Sequence, residues 1–255
     1  MSTLFSTVWA DQVHIYDTLG STNTEAKRLA VLGAPHGTVV IARHQSQGRG
    51  RMGRSFSSPK GLGLYLSAIL RPNCPPQQLL PLTCCVGVCV CDALQSLCSI
   101  RPKLKWINDL VMGKRKLGGI LCELSISPET GLVDFAIVGI GINCLHQKTD
   151  FPAELQDMAT SLAMCTGKAY PPEDVGKALI QALKALDITP AVMDAYRKDC
   201  ITLNTPVMVL RGDERYYATA TDIDPTGSLI VTLPDGTCRS VDSGEVSIRG
   251  MYGYC

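Results

Sequence analysis

Gln45-Ser-Gln-Gly-Arg-Gly-Arg-Met-Gly-Arg-Ser-Phe56 is the stretch whose reading decides the fold. Within it, Gly48-Arg-Gly-Arg-Met-Gly53 satisfies the GxGxxG pattern of a dinucleotide-binding turn. That pattern has this meaning only between a strand and a helix. The strand is present, since Thr38–Ala42 is β-branched and apolar. The helix is missing. Ser57-Ser-Pro-Lys-Gly61 leads into Leu62–Leu70, an apolar run bounded by glycine and proline that reads as another strand. A doubly wound dinucleotide fold is set aside, and no Gly-Lys-Ser/Thr follows to make a phosphate-binding Walker loop. What remains is a loop in which Arg49, Arg51 and Arg54 alternate with Gly48, Gly50 and Gly53. Glycine lets the backbone approach a ligand closely, and each guanidinium is a planar fork matched to phosphate or carboxylate. Clustered cations repel one another, which keeps such a loop hydrated until an anion arrives. The stretch reads as a loop that folds over a phosphorylated ligand.

The rest of the composition narrows the class. A chain of 255 residues with 45% hydrophobic and 18% charged residues can bury one large core and one small one. The net charge is +1, so positive charge is local to the loop rather than spread over a basic face. Nucleic acid is therefore not an expected partner. Met1–Ala10 lacks a basic start and an apolar core, and no uninterrupted apolar run is long enough to span a bilayer. Neither secretion nor a membrane partner is expected. The chain carries 12 cysteines, yet no Cys-x-x-Cys pair occurs, so zinc is not expected. Cys84, Cys91 and Cys98 recur at helical spacing in an apolar segment and read as small core residues. A reduced, cytoplasmic protein fits. His14, His36, His44 and His146 show no metal spacing.

Val13–Tyr16 reads as a short strand. Thr22-Asn-Thr-Glu25 reads as a capping box opening a helix that Gly33 stops. After the two strands flanking the basic loop, Gln77–Cys98 reads as a buried helix that Pro81 and Gly87 limit or bend. Lys103–Asn108 begins as a strand and turns at Asn108-Asp109. Leu117–Ile126 and Leu132–Asn143 form a hairpin around Ser127–Gly131. Helices follow from Ser161, over Pro172–Leu186 and over Val192–Cys200. Beyond Asn204 the texture changes to short β runs at Pro206–Leu210, Tyr216–Ile223, Ser228–Leu233, Thr237–Val241 and Val246–Arg249. Tight turns at Gly212-Asp213, Pro225–Gly227, Pro234–Gly236 and Asp242–Gly244 separate them, which implies a small barrel. The expected plan is α+β: a mixed-sheet domain with flanking helices over 1–200, then a β-barrel over 204–255.

Two further clusters carry chemistry. Lys105-Trp-Ile-Asn-Asp109 places a cation, an indole, an amide and a carboxylate at a strand end, and Lys116 follows inside Arg115-Lys-Leu-Gly-Gly119. Gly118 and Gly119 remove side chains where the next strand enters the sheet, which leaves room for a ligand. Lys116 can project over that space towards a carboxylate or phosphate. Gly139-Ile-Gly-Ile-Asn143 closes the following strand. Cys144 beside it reads as a core cysteine, because no histidine is placed to activate it. Ser21-Thr-Asn23 sits at a helix N-terminus, where free N–H groups favour polar or anionic groups.

These segments, in this order, resemble the biotin–protein ligase family along nearly the whole chain. The motifs are Ser21-Thr-Asn23, Gln45 with Gly48-Arg-Gly-Arg-x-Gly-Arg54, Lys105-Trp-x-Asn-Asp109, Arg115-Lys-Leu-x-Gly119 and Gly139-x-Gly-x-Asn143. The resemblance implies a catalytic domain like that of class II aminoacyl-tRNA synthetases and an SH3-like C-terminal barrel. It implies ATP with Mg2+ as co-substrate, biotin as substrate, and a biotin carboxyl carrier domain of a carboxylase as protein partner. Ser21, Thr22, Asn23 and Gln45 would surround the ureido ring. Arg49, Gly50 and Arg51 would close over biotinyl-5′-AMP. Lys116 would contact the biotin carboxylate and adenylate phosphate, and Asp109 would sit by the reacting centre, near magnesium or the incoming lysine. Gly48, Trp106, Asn108, Gly118 and Asn143 complete the substrate-binding set. Ile107 stands where the family often has proline, and Gly118 where alanine is common; neither change removes a reacting group. No room is seen for a helix-turn-helix ahead of the catalytic segment, so a repressor role is not expected. The oligomeric state stays open, a homodimer included. The competing readings are a lipoate or octanoate ligase or transferase of the same superfamily, and a nucleic-acid-binding module built on the basic loop and barrel.

Overall fold

A computed structural model describes residues 4–5, 8–211, 214–242 and 247–250. The strands β1 (Val13–Tyr16), β2 (Val39–Ala42), β3 (Gly63–Leu70), β4 (Lys103–Lys105), β5 (Asp109–Met112), β6 (Arg115–Ile126) and β7 (Val133–Asn143) form one sheet in the order β1-β2-β3-β7-β6-β5-β4. Only β1 and β2 are parallel; every other pair is antiparallel. The β6–β7 hairpin is the longest pairing and supplies the centre of the sheet.

Alternation along the strands divides the chain between two faces. On β3, Leu64, Leu66, Ala68 and Leu70 join the main core with Val138, Ile140 and Ile142 of β7. Helix α2 (Leu82–Cys98) packs on that face, backed by α4 (Pro172–Lys184) and α5 (Pro190–Asp199), with the short α3 (Leu162–Thr166) nearby. Cys84, Cys91 and Cys98 are all buried in this core, and burial pushes the Cys91 thiol up to about 12. The cysteines among the described residues are free. On the opposite face α1 (Thr22–Val31) lays Ala26 and Ala30 against Val40, Ile69, Phe135 and Ile137.

The helical stretch Pro76–Cys98 is long and apolar enough to cross a membrane, with a mean hydropathy of 1.6. Its most apolar window is 67% buried inside the protein, which makes it the central core helix. Pro81 does limit it: a separate 3-10 turn covers Pro76–Leu79 and Pro81 stands at the N-cap of α2. Gly87 lies inside the unbroken helix, where Leu104 packs so closely that an added Cβ would stand 3.0 Å from it.

The capping box at Thr22–Glu25 is not made. Ser21 is the N-cap and its side chain makes no cap hydrogen bond. Thr22, already helical, turns its hydroxyl to Gln45 Oε1 at 3.1 Å. Glu25 is taken by the Tyr16 hydroxyl at 2.9 Å and by Arg28. Long-range partners displaced the local cap.

The remaining strands, β8 (Pro206–Arg211), β9 (Glu214–Ile223), β10 (Leu229–Thr232), β11 (Cys238–Val241) and β12 (Ser247–Gly250), form an antiparallel sheet in the order β11-β10-β9-β8-β12. Val207, Val209, Ala220, Leu229 and Val231 point inward. The expected turns at 212–213 and 243–244, and the first residue of the last expected strand, lie outside the described residues. This sheet is fastened to the rest of the protein: Trp106 Nε1, just after β4, donates to the Gly227 carbonyl at 2.9 Å, and Arg197 Nε of α5 donates to the Ile223 carbonyl at 2.6 Å.

Candidate active site

Helix α1 covers only one end of its face of the sheet. Past its N-terminus the strands present small residues in register. Tyr65 of β3 opposes Gly141 of β7, Gly141 opposes Gly119 of β6, and Gly119 opposes Asp109 of β5. The next row towards α1 is Ser67, Gly139 and Leu121. Two glycines in the middle of the first row sink a trough between Tyr65 and Asp109, and a cavity of about 340 Å³ occupies it. The floor is tight here: a Cβ on Gly141 would come within 2.7 Å of the Phe56 ring, and one on Gly139 within 2.0 Å of Asn23 Oδ1, so either neighbour would have to shift.

One end of the trough is a polar network around the start of α1. Gln45 Oε1 accepts from the Thr22 backbone N–H at 2.8 Å and from its hydroxyl, while Gln45 Nε2 donates to Ser58 Oγ at 2.9 Å. Ser58 in turn donates to the Phe56 carbonyl. The Ser67 hydroxyl is shared between Asn23 Oδ1 at 2.6 Å and Thr22 Oγ1 at 2.8 Å. Asn23 Nδ2 donates to the Leu121 carbonyl at 3.2 Å and to Glu123 Oε2 at 2.8 Å. Asn23 is thus held by protein groups on both sides of its amide.

The other end carries charge. Lys116 Nζ donates to Asp109 Oδ1 at 2.6 Å. Lys116 is held by its own backbone too, through a bridge to Ala159. The Gly/Arg loop folds across the opening, pinned where the Gly50 N–H meets the Arg54 carbonyl at 2.7 Å and the Phe56 N–H meets the Gly48 carbonyl. A 3-10 turn spans Arg51–Gly53, with Met52 at φ 54°. Burial holds the Arg51 guanidinium below its ordinary value, and the Asp109 charge works against that shift. Burial also raises the Tyr65 phenol well above its ordinary range; its hydroxyl donates to the Pro59 carbonyl.

Of the residues singled out in the sequence, Ser21, Thr22, Asn23, Gln45, Arg49, Gly50, Arg51, Trp106, Asn108, Asp109, Lys116 and Asn143 all line this one cavity. Gly48 and Gly118 do not. A Cβ on Gly48 would stand 2.3 Å from the Phe56 carbonyl, and one on Gly118 2.3 Å from the Gly141 carbonyl. Both serve close backbone approach, and alternation turns Gly118 to the core face while Gly119 faces the ligand space. Tyr65, Ser67, Ser58, Phe56 and Glu123 were missed. Ser67 had a signal, as a hydroxyl inside the buried apolar run of β3. Glu123 had another, as a charge at the same strand parity as Gly119.

Family models match this arrangement in two parts: the biotin/lipoate A/B protein ligase family over residues 16–143 and the biotin protein ligase C-terminal domain over residues 202–249. Among curated proteins, the biotin–[acetyl-CoA-carboxylase] ligase of Mycobacterium tuberculosis is 32% identical over 247 residues, 92% of this chain and 88% of that protein. The chain belongs to the biotin protein ligase family. The bifunctional ligase/repressor BirA of Bacillus spizizenii is 33% identical over 91% of this chain and 72% of its own length. Among solved structures, the biotin protein ligase of Aquifex aeolicus in complex with biotin and ATP superposes with a TM-score of 0.77 at 29% identity, covering 94% of this chain and 99% of that one. The mixed sheet with its flanking helices and the small C-terminal sheet are therefore the architecture of this family.

Proposed function

We infer that this chain activates biotin with ATP and passes it to a lysine of a carrier domain, and that the glycine-floored trough hosts both half-reactions. The observation that carries the reading is the joining of a neutral, hydrogen-bonding end at Thr22 and Gln45 to a charged end at Lys116 and Asp109 in one cavity, within a chain of this family. A ureido ring wants the first end; a carboxylate next to a phosphate wants the second.

In the first half-reaction a biotin carboxylate oxygen attacks the α-phosphorus of ATP. An O–P bond forms and the bond to pyrophosphate breaks, giving biotinyl-5′-AMP. Such transfer needs positioning and charge neutralisation more than covalent help. Lys116 meets the carboxylate and the α-phosphate, while Arg49 and Arg51 bring guanidinium forks from the loop. In the second half-reaction the carrier lysine attacks the acyl carbon, the C–O bond to AMP breaks, and an amide forms. An ordinary lysine holds its proton to a pKa of about 10.4, so the proton must be taken up as the amine attacks; Asp109, at the same end, is placed to receive it. The loop excludes water from the anhydride meanwhile.

Magnesium accompanies ATP as a neutralising charge. Among the described residues no group of three or more metal-type side chains gathers. Asp109 still suits this ion, because magnesium keeps several waters and takes one or two carboxylates plus substrate phosphates.

The partner of this reading is a biotin carboxyl carrier domain. Incubation with biotin, ATP and such a domain should give streptavidin-reactive carrier, and lipoate should not replace biotin. Labelling with lipoate but not with biotin would overturn the reading in favour of the lipoate branch of the superfamily.

A further inference from the structure

Glu123 has no part in the chemistry above, yet it joins the two halves of the site. It lies on β6 at the parity of Gly119 and Leu121, so its side chain stands on the ligand face beneath the start of α1. Its Oε2 accepts from Asn23 Nδ2 at 2.8 Å, and its Oε1 faces Arg49 Nη2 at 3.3 Å. Asn23 leads through Ser67 to Thr22 and so to Gln45. Arg49 belongs to the loop. One carboxylate therefore ties the loop to the neutral end of the trough.

The pair itself is a poor stabiliser. The Arg49 side chain is 49% exposed and that of Glu123 is 26% exposed, and exposed pairs contribute roughly 0–1 kcal/mol. The consequence of the contact is geometric. It fixes where the loop begins relative to the ring-binding groups, with Gly139 giving Asn23 the space to reach down to the strand.

We propose that Glu123 is a positioning residue that couples the Gly/Arg loop to the biotin end of the cavity through Arg49 and Asn23, so that a filled ring pocket and a closed loop hold the adenylate together. This rests on the reading of the site as a biotin-adenylating trough. Glu123→Gln keeps an acceptor for Asn23 and removes the charge that faces Arg49. Glu123→Ala removes both.

The test is the rate at which preformed biotinyl-5′-AMP leaves the protein, measured beside the KM for biotin and the melting temperature. Glu123→Gln should release the adenylate severalfold faster, at most about fivefold for a pair of this exposure, with KM and melting temperature close to those of the unaltered protein. Glu123→Ala should also raise the KM for biotin by about tenfold, in line with coupling energies of contacting residues. In an Arg49→Ala background, Glu123→Gln should add nothing to the release rate. Release from Glu123→Gln at the unaltered rate, or a full additive effect on top of Arg49→Ala, overturns the coupling while leaving the trough intact. Absence of biotinyl-5′-AMP from the unaltered protein brings down the reading of the site and this inference with it.

Discussion

Asp109 and Lys116 meet at 2.6 Å across the β5–β6 pair, at the end of a row whose centre is Gly119 and Gly141. The register places the ion pair at the edge of the empty floor, where a β-bulge between Leu110 and Val111 shifts the pairing that brings Lys116 round. Replacing Asp109 by Asn keeps the shape and an acceptor for Lys116 but removes the charge. Carrier biotinylation should fall by about 10²-fold or more, the range for a positioned acid–base group, with little change in melting temperature. Steady-state transfer assays read this directly; an Asp109→Asn protein with undiminished transfer would remove the carboxylate from the mechanism.

Arg51 is a loop cation whose guanidinium burial holds below its ordinary value, while the Asp109 charge works against that shift. Its substitution by Gly takes away both charge and bulk over the adenylate. The variant should still make biotinyl-5′-AMP but release it to solvent, about tenfold faster in a filter-retention assay. Retention equal to the unaltered protein would contradict a shielding role.

The floor can be tested by a single methyl group. Gly139→Ala would place a Cβ 2.0 Å from Asn23 Oδ1 and 2.8 Å from its Cγ. Asn23 has no room to yield, because Leu121, Glu123 and Ser67 all bind its amide. The start of α1 must shift, at a cost of about 1–3 kcal/mol. Chemical denaturation should record that loss, and calorimetry should record weakened biotin binding.

His146 gives a pH dependence. It is buried, stacks on Phe151 with ring centroids 4.8 Å apart, and sits just behind the cavity wall. Burial lowers its pKa to about 4 from 6.5. Its folded pKa is depressed, so its neutral form contributes stability that is complete above pH 6.5 and is lost as pH falls towards 4. On the order of 3 kcal/mol should disappear across that window. His146→Phe keeps the stack and cannot titrate; its melting temperature should fall less than that of the unaltered protein between pH 6.5 and 4. Parallel curves for the two would contradict the assignment.

Most of the elements were legible in the sequence because apolar runs, glycines and prolines mark them locally. β1, the β6–β7 hairpin and α4 lie close to where periodicity and turn residues place them. The capping box at Thr22 misled, because a local cap competes with Gln45 and Tyr16, and those partners are brought by the sheet rather than by neighbouring sequence. In the site, charged and glycine-rich motifs were readable because their chemistry is unusual. Ser67, Ser58 and Glu123 were harder to read, because each is an ordinary residue type: Ser67 and Glu123 gain their places from register across strands, and Ser58 from a loop contact with Gln45. Gly118 and Gly119 show the same limit: the pair was conspicuous, but only the pairing of β6 with β7 says which of the two faces the ligand.

The central claim is that Lys116 faces the biotin carboxylate and the α-phosphate in the trough. The most direct measurement is single-turnover formation of biotinyl-5′-AMP from biotin and α-labelled ATP by the unaltered protein and by Lys116→Ala. The account predicts rapid formation by the first and a loss of at least about 10²-fold in the second, the scale of removing a charged transition-state contact. Adenylate formation by Lys116→Ala at the unaltered rate would contradict it.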